Sequence, residues 1–382
     1  MRLAGIVIAA LSGWLLCSCV TPPPDRPLVL VHVMPWFESK QVSGHWGWHW
    51  TMGKTDAENG ILSTHERPTL GAYDSSDPAV IATQVALMKA SGVDGAIIDW
   101  NGPDGFADYE MIHRNTGLLI AALKKADLKF AVCVEDSPGH RFMQAKQLTR
   151  DQSVAKIAAS FAWVDQHWLN DPAYVRLSGR PVLFIFGPQF LSESEWPAIR
   201  ANLRSDPLTF ALPHLSHRPG IDGAFAWVPV SGGKTVDAPT WKAELASLYA
   251  REAKERRPFV AAAFPGYHDF YAQAGVGPSY GFIDSRDGKT FAESLDQAMK
   301  SGAPIVQVAT WNDYGEGTQV EPTTLDLRWY THLQTLRQRL GYPPESDEIH
   351  KIISDIRWKA FIKNGKNFPP DYPKTPPDPP SR

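Results

Sequence analysis

Short apolar stretches recur along the chain, separated by segments of mixed polarity. Eight of them lie at residues 28–36, 94–100, 129–135, 181–186, 209–213, 223–228, 259–264 and 304–311. A continuous apolar run of this length is typical of a strand that is covered on both faces, as in a parallel sheet. The pattern therefore predicts eight buried β-strands.

The segments between these strands have the apolar spacing of helices. Helices are predicted at residues 78–91, 109–126, 153–169, 193–203, 241–255, 291–301 and 326–340. The connection between residues 213 and 223 is too short for a full helix. Eight strands alternating with helices favour a single (β/α)8 TIM barrel, spanning residues 28–345, over an open doubly wound sheet. The sequence has neither a GxGxxG motif nor a P-loop, the motifs that would favour the open sheet.

The composition narrows the classes of ligand. The 382 residues include 38 Lys and Arg against 41 Asp and Glu, for a net charge of −3. No basic field is available to hold a nucleic-acid backbone, so we expect no nucleic-acid partner. The 14 tryptophans are unusual, and flat indole rings serve either to fill a core or to stack on sugar faces.

The two ends of the chain predict export and a membrane anchor. Residues 1–19 have Arg2, an apolar run and then small residues, which is the order of an export signal. The end of this segment, Leu16-Cys17-Ser18-Cys19, resembles a bacterial lipobox, which makes Cys19 the candidate lipidation site. Cleavage by an ordinary signal peptidase is the alternative. We expect a monomer of the bacterial cell envelope, attached to the membrane by a lipid on Cys19.

The remaining terminal segments are predicted to lie outside the barrel domain. Residues 20–27 form a Pro-rich tether, residues 346–366 a helical extension, and residues 367–382 a Pro-rich tail.

Carboxylates and aromatic rings follow several of the predicted strands. In a (β/α)8 barrel these positions meet at the C-terminal mouth, where the reactive groups lie. The candidates there are Trp36, Asp99, Trp100, Glu135, Tyr267, His268, Asn312, Asp313 and Glu316. Such a set suits protonation of a glycosidic oxygen and stacking on a sugar ring.

Asp313 and Glu316 are the candidate catalytic pair. They stand three residues apart in the turn that leaves the eighth strand. Glycoside cleavage needs one protonated carboxyl and one ionised carboxylate, held in environments that separate their pKa values. The alternative is that both serve as helix-cap or salt-bridge carboxylates.

An aromatic segment, Gly44-His45-Trp46-Gly47-Trp48-His49-Trp50, follows the first strand. Its indoles, Trp48 and Trp50 in particular, are predicted to form a platform for successive sugars, with ordinary packing as the alternative. The pairs His45/His49 and His214/His217 lack a third ligand at motif spacing. We therefore expect no metal and no cofactor.

Several stretches resemble glycoside hydrolase family 99, the endo-acting α-mannosidases and mannanases. They are VHVMPWFES, GHWGWHWTMG, GAYDSSDPAVIATQVALMKASGVDGAIIDW, VCVED and WNDYGEGTQVEPT, and they span residues 31–323 in order. The resemblance implies a (β/α)8 barrel, retention of configuration and chemistry without a metal. It also implies that Asp313 deprotonates the 2-hydroxyl of the sugar, that Glu316 protonates the leaving oxygen, and that Glu135 and Asn312 belong to the sugar site.

One position departs from the family pattern. The family usually has Glu where Asp313 stands, and Asp is shorter by about 1.5 Å. The segment WNDYGE also resembles family 71, the α-1,3-glucanases, in which an Asp and a Glu at this spacing form the catalytic pair. An α-1,3-glucanase-like hydrolase and a non-catalytic glycan-binding surface lipoprotein are therefore the alternatives to a hydrolase of mannan-like poly- or oligosaccharides.

Overall fold

The computed structural model describes residues 26–323 and 328–364. The predicted signal, Cys19 and the Pro-rich tail lie outside the described residues. Within the described ranges, no helix combines the length and the apolar character that crossing a membrane requires.

Eight parallel strands form a closed barrel. They are β1 (Leu28–Val33), β2 (Gly95–Trp100), β3 (Lys129–Val134), β4 (Arg180–Ile185), β5 (Leu208–Ala211), β6 (Gly223–Phe225), β7 (Phe259–Ala263) and β8 (Ile305–Val308). Each strand pairs with the next along the chain, and β8 pairs with β1 through Leu28↔Ile305 and Val31↔Val308. The predicted (β/α)8 TIM barrel is confirmed.

Helices connect most of the strands on the outside of the barrel. Their bounds are Pro78–Ser91, Tyr109–Lys125, Pro138–Ala145, Arg150–His167, Glu195–Arg200, Ala238–Lys254, Lys289–Met299 and Arg328–Arg339, and Asp347–Asn364 follows as the helical extension. Between β5 and β6 the described residues contain only turns, as the short connection predicts.

Three helices, Arg150–His167, Ala238–Lys254 and Lys289–Met299, begin two or three residues earlier than their apolar spacing suggests, and the first shows why. The helix Arg150–His167 starts three residues before the predicted position because Thr149 and Gln152 form a capping box. The Thr149 side chain accepts from the Gln152 backbone N–H, and the Gln152 side chain accepts from the Thr149 backbone N–H. The two bonds satisfy donors that a helix start otherwise leaves unpaired.

The strands are buried on both faces, and neighbouring positions point to opposite sides of the sheet. In β2, Asp99 lines the cavity inside the barrel, whereas Trp100 packs outside it against Trp163 and Trp168. A second, smaller apolar cluster lies over the mouth beside β1, where Phe37 and Trp50 pack with Tyr73 and Tyr314. This cluster supports the loops that carry the site.

A small sheet outside the barrel, which the sequence did not predict, also shapes the mouth. It joins Tyr267–His268, Gly281–Ile283 and Lys234–Thr235. The antiparallel pairing of Tyr267 with Ile283 fixes the segment that follows β7 at the edge of the mouth.

Candidate active site

A cavity of about 1120 Å³ opens at the C-terminal mouth of the barrel. Four of the predicted carboxylates line it, namely Asp99, Glu135, Asp313 and Glu316. Aromatic rings line it as well, and these are Trp36, Phe186, Trp227, Tyr267, Tyr271 and Tyr280. A cavity of this size and lining suits a polar ligand with apolar ring faces, such as a sugar chain.

Asp313 lies in the turn after β8 and is only 5% exposed. Its backbone N–H donates to Thr310 Oγ1 at 2.8 Å, and its Oδ1 accepts from the backbone N–H of Glu316 at 3.1 Å. Burial raises the pKa of Asp313 to about 7, and the nearby Glu135 adds to the rise. The carboxyl is therefore poised to take up or release a proton near neutral pH.

Glu316 comes three residues later in the same turn. The hydroxyl of Tyr271 donates to Glu316 Oε1 at 3.4 Å, and the backbone carbonyl of Glu316 accepts from His268 N–H at 2.9 Å. Burial, followed by the charge of Asp313, raises the pKa of Glu316 well above its ordinary value. Asp313 and Glu316 are thus two neighbouring carboxyls that cannot easily both be charged.

Asp99 and Glu135 line another part of the cavity. Ser137 Oγ donates to Glu135 Oε2 at 2.7 Å, and Asn101 Nδ2 donates to the same oxygen at 3.2 Å. Burial raises the pKa of both carboxyls, and the charges of Glu135 and Asp313 raise that of Asp99 further. Protonated or shared carboxyls of this kind can both donate to and accept from sugar hydroxyls.

A buried hydrogen-bond network holds the turn of the candidate pair from behind. Asn312 Oδ1 accepts from Met34 N–H at 2.8 Å, and its Nδ2 donates to Met34 O at 2.9 Å and to Tyr73 Oη at 3.0 Å. Tyr73 and Tyr314 each donate to Glu321 Oε2, at 3.0 and 2.9 Å. The network joins the loop after β1 to the turn after β8.

The structure places Trp36 in the cavity wall, as predicted. One face of its ring stacks on His49, with centroids 4.1 Å apart and planes within 8°. His49 is in turn bonded to Asp108 through Nε2 at 3.2 Å. Trp48 is 47% exposed and lies outside the cavity lining.

Two tryptophans proposed as sugar contacts are instead core residues. Trp50 is fully buried, packs on Phe37 and donates from Nε1 to Tyr73 O at 2.8 Å. Trp100 is fully buried behind β2 and donates to His113 Nδ1 at 3.2 Å. Neither ring presents a face to the cavity, which corrects the expectation that they stack on substrate.

Two further candidates also lie away from the cavity. Asn312 is 1% exposed, and its amide is fully engaged by the backbone of Met34 and by Tyr73, so it supports the turn instead of lining the cavity. His268 is exposed and stacks on His65, with centroids 3.6 Å apart, in a separate pocket of about 210 Å³. The small outer sheet turns His268 away because adjacent strand residues face opposite sides, and Tyr267 faces the cavity.

The structure adds cavity residues that sequence reasoning missed. Trp227 stands just beyond the end of β6, the kind of position from which the other candidates were chosen. Its ring lines the cavity and meets the His32 ring edge-on. Tyr271, which begins the short helix Tyr271–Ala274 in the connection after β7, faces Glu316. Glu321, which joins the buried hydrogen-bond network, was also missed. It lies within the stretch WNDYGEGTQVEPT, but its residue type and position in the sequence do not show that its carboxyl is buried.

The histidine pairs do not assemble metal sites among the described residues. His45 bonds to Glu38 and His217 to Glu255, each at the surface. One group does bring three metal-ligating side chains together. His32, Asp99 and Cys133 each offer a ligand atom, and these atoms all lie within 4.8 Å of one another.

No protein-family model matches the sequence. The chain is 21% identical over 337 residues to a mouse protein named glycoprotein endo-alpha-1,2-mannosidase, covering 78% of this chain and 68% of the mouse protein. It is 23% identical over 368 residues to a zebrafish glycoprotein endo-alpha-1,2-mannosidase-like protein, covering 87% and 77%.

Solved structures show the same architecture. The structure of the GH99 endo-alpha-mannosidase from Bacteroides thetaiotaomicron aligns with a TM-score of 0.63 and 18% identity, covering 82% of this chain and 98% of that one. A complex of that enzyme with bis-tris-propane aligns with a TM-score of 0.62 and 19% identity, covering 81% and 94%. Together with the carboxylate-lined mouth, these similarities identify the chain as a GH99-like glycoside hydrolase.

Proposed function

We propose that this protein hydrolyses α-mannosidic linkages inside a mannan-like glycan, with retention of configuration. The observation that carries the proposal is the pair Asp313 and Glu316, the first buried and the second partly buried, which line the cavity at the mouth with the pKa of both carboxyls raised. The endo-α-mannosidase names of the similar proteins support the choice of sugar.

The two carboxyls have different environments, and this difference suits two roles. The pKa of Asp313 is raised to about 7, so this carboxyl is ionised in a large fraction of molecules near neutral pH. Burial, followed by the charge of Asp313, raises the pKa of Glu316 and keeps the proton on it. Separated pKa values of this kind assign Asp313 as the base and Glu316 as the acid.

The proposed first step uses the sugar's own 2-hydroxyl. Asp313 takes the proton from O2, and O2 attacks C1 from the side opposite the leaving group. The bond from C1 to the glycosidic oxygen breaks as Glu316 gives its proton to that oxygen. The product is a 1,2-anhydro sugar, which an α-mannoside allows because its axial 2-hydroxyl is trans to the leaving group.

The second step restores both carboxyls. Water attacks C1 while the ionised Glu316 takes a proton from it, and Asp313 returns its proton to O2 as the bond from O2 to C1 breaks. The microscopic reversal of roles at Glu316 is the usual pattern for a retaining glycosidase.

The test is product release from a panel containing α-mannan, yeast mannan and α-1,3-glucan. We expect mannan fragments from the native chain and a loss of at least about 100-fold in Glu316→Gln, since general acid catalysis contributes roughly 10²–10⁴. His217→Ala, which alters an exposed histidine that is paired with Glu255 and does not line the cavity, is the control for handling and folding.

Other outcomes would replace the proposal. Release from α-1,3-glucan alone would make the protein a glucanase. Mannan binding without release by the native chain would make it a glycan-binding protein, and Asp313→Glu would then be the change expected to restore turnover.

We also propose that the protein is exported and anchored through a lipid on Cys19. The order of charged, apolar and small residues before Cys19 supports this. Metabolic labelling with a radioactive fatty acid should mark the native chain and Cys17→Ser but not Cys19→Ser. Equal labelling of both variants would refute the assignment.

A further inference from the structure

Three side chains with different metal-binding atoms meet at the floor of the cavity. His32 in β1 and Asp99 in β2 line the cavity, and Cys133 lies beside Asp99 because β2 and β3 pair in the register Asp99↔Cys133. All three are at most 2% exposed. Their ligand atoms lie within 4.8 Å of one another.

The orientation of His32 leaves one ring nitrogen available to a ligand. Gln307 Nε2 donates to Ala226 O, which fixes the amide so that Gln307 Oε1 faces His32 Nδ1 at 3.3 Å. Because Oε1 accepts only, Nδ1 carries the hydrogen and Nε2 keeps its lone pair. Nε2 is buried and has no hydrogen-bond partner among the described residues.

Asp99 has the same property. Its Oδ2 is buried and has no hydrogen-bond partner among the residues that the structure describes. Buried polar atoms without partners are costly. These two belong to side chains whose ligand atoms lie within 4.8 Å of one another and of the Cys133 sulfur, so the cluster points to a ligand that contacts all three. The assigned roles of Asp313 and Glu316 do not use either atom.

We propose that His32, Asp99 and Cys133 form a binding site for a zinc-type divalent cation at the floor of the cavity. Imidazole nitrogen, carboxylate oxygen and thiolate sulfur are all zinc ligands, and zinc sites with three protein ligands keep a fourth position open. The thiol of Cys133 gives up its proton on binding, and the fourth position faces the cavity. Gln307 acts as the outer partner that orients His32.

The required movement is small. A tetrahedral zinc site with bonds of roughly 2.0–2.3 Å has ligand atoms about 3.3–3.8 Å apart. A separation of 4.8 Å therefore has to close by about 1–1.5 Å, which is within the reach of side-chain rotation.

The first experiment titrates cobalt(II), as a spectroscopic substitute for zinc, into the full-length chain. We expect one equivalent to produce a thiolate-to-cobalt absorption band in the near ultraviolet, and zinc to abolish it. Since the chain has three cysteines, the double variant Cys17→Ser/Cys19→Ser tests which thiol is bound without altering the barrel. A band that persists in this variant supports Cys133, and a missing band in it overturns the proposal.

The second experiment measures zinc affinity by calorimetry. Gln307→Met removes the carbonyl partner of His32 at similar volume and should weaken zinc binding by about 10- to 100-fold. His217→Ala, which alters an exposed histidine paired with Glu255, should leave the affinity unchanged. Equal affinities for the native chain and Gln307→Met would contradict the proposed ligand arrangement.

The site should also make zinc an inhibitor, and this part rests on the proposed function. Zinc at the cavity floor would coordinate Asp99 and occupy space beside Asp313. The rate of mannan release should therefore fall as the zinc concentration rises, with the same midpoint concentration as zinc binding. Cobalt and zinc binding are measured without substrate, so a chain that binds zinc but releases no sugar would refute the proposed function alone. Zinc binding without inhibition of an active enzyme would overturn the placement at the cavity floor.

Discussion

Replacing Asp313 by Asn should stabilise the protein at neutral pH while abolishing its activity. Burial raises the pKa of Asp313 from an ordinary 3.8 to about 7, so the folded chain resists ionising a carboxyl that the unfolded chain ionises freely. At about 1.4 kcal/mol for each tenfold change in proton affinity, the difference amounts to about 4 kcal/mol at pH 7. Asn keeps an oxygen that can accept from Glu316 N–H and carries no charge to desolvate.

The raised pKa of Asp313 determines how the stability of the native chain changes with pH. Between pH 4 and pH 7 the folded chain holds the Asp313 proton and the unfolded chain does not, so the native protein loses stability as the pH rises through this range. Asp313→Asn has no such titration. Its free energy of unfolding should therefore match that of the native chain near pH 4 and exceed it by about 4 kcal/mol at pH 7.

Urea unfolding followed by circular dichroism at both pH values measures the effect. Asp237→Asn is a suitable control, because Asp237 caps the helix Ala238–Lys254 by accepting from Thr240 N–H. Hydrogen bonds from the side chain and then the backbone of Thr240 lower the pKa of the Asp237 carboxyl. The control variant should be the less stable protein at pH 7. If Asp313→Asn is less stable than the native chain at pH 7, desolvation does not dominate at Asp313 and the reasoning fails.

Three other predictions concern the same region. The pH profile of kcat/KM should be bell-shaped, falling below a pKa of about 7 as Asp313 becomes protonated and falling again at higher pH as Glu316 ionises; a flat acid limb would remove Asp313 from the role of base. Glu321→Ala should destabilise the protein by about 3 kcal/mol or more in urea unfolding, because it leaves the buried donors of Tyr73, Tyr314 and Gln84 unpaired. Glu321→Gln keeps an acceptor oxygen and should cost less, and equal losses would mean that these hydrogen bonds do not hold the network together. Trp50→Ala should cost about 3–5 kcal/mol of stability with little change in KM, whereas Trp36→Ala should raise KM with a smaller loss of stability, and the reverse pattern would refute the assignment of the two rings.

The order and number of the barrel strands could be predicted because a parallel strand that is covered on both faces must be apolar along its whole length. The same property hides which side chains face inward. In β2, nothing in the sequence tells that Asp99 faces the cavity and Trp100 faces the helices, since no polar alternation marks the two faces.

The candidate site was predictable where the chemistry depends on residue type and strand position. Asp313, Glu316, Glu135 and Trp36 were found in this way, and all four line the cavity. The loop after β1 was less predictable, because the burial of a tryptophan depends on distant partners. Trp50 is a core residue only because Tyr73 O accepts its indole N–H and Phe37 covers its ring.

The hydrogen-bond network behind the turn of the candidate pair also affects how the chain folds. Asn312 contacts Met34 across 278 positions of sequence, and Glu321 contacts Tyr73 across 248. Such contacts incur the loop-closure entropy of nearly the whole chain, so they form only when the first and last strands of the barrel meet. A nascent chain that has not yet reached β8 can already contain Asp99 and Glu135, but it lacks both members of the carboxyl pair. Completion of the barrel and assembly of the candidate carboxyl pair are therefore the same event.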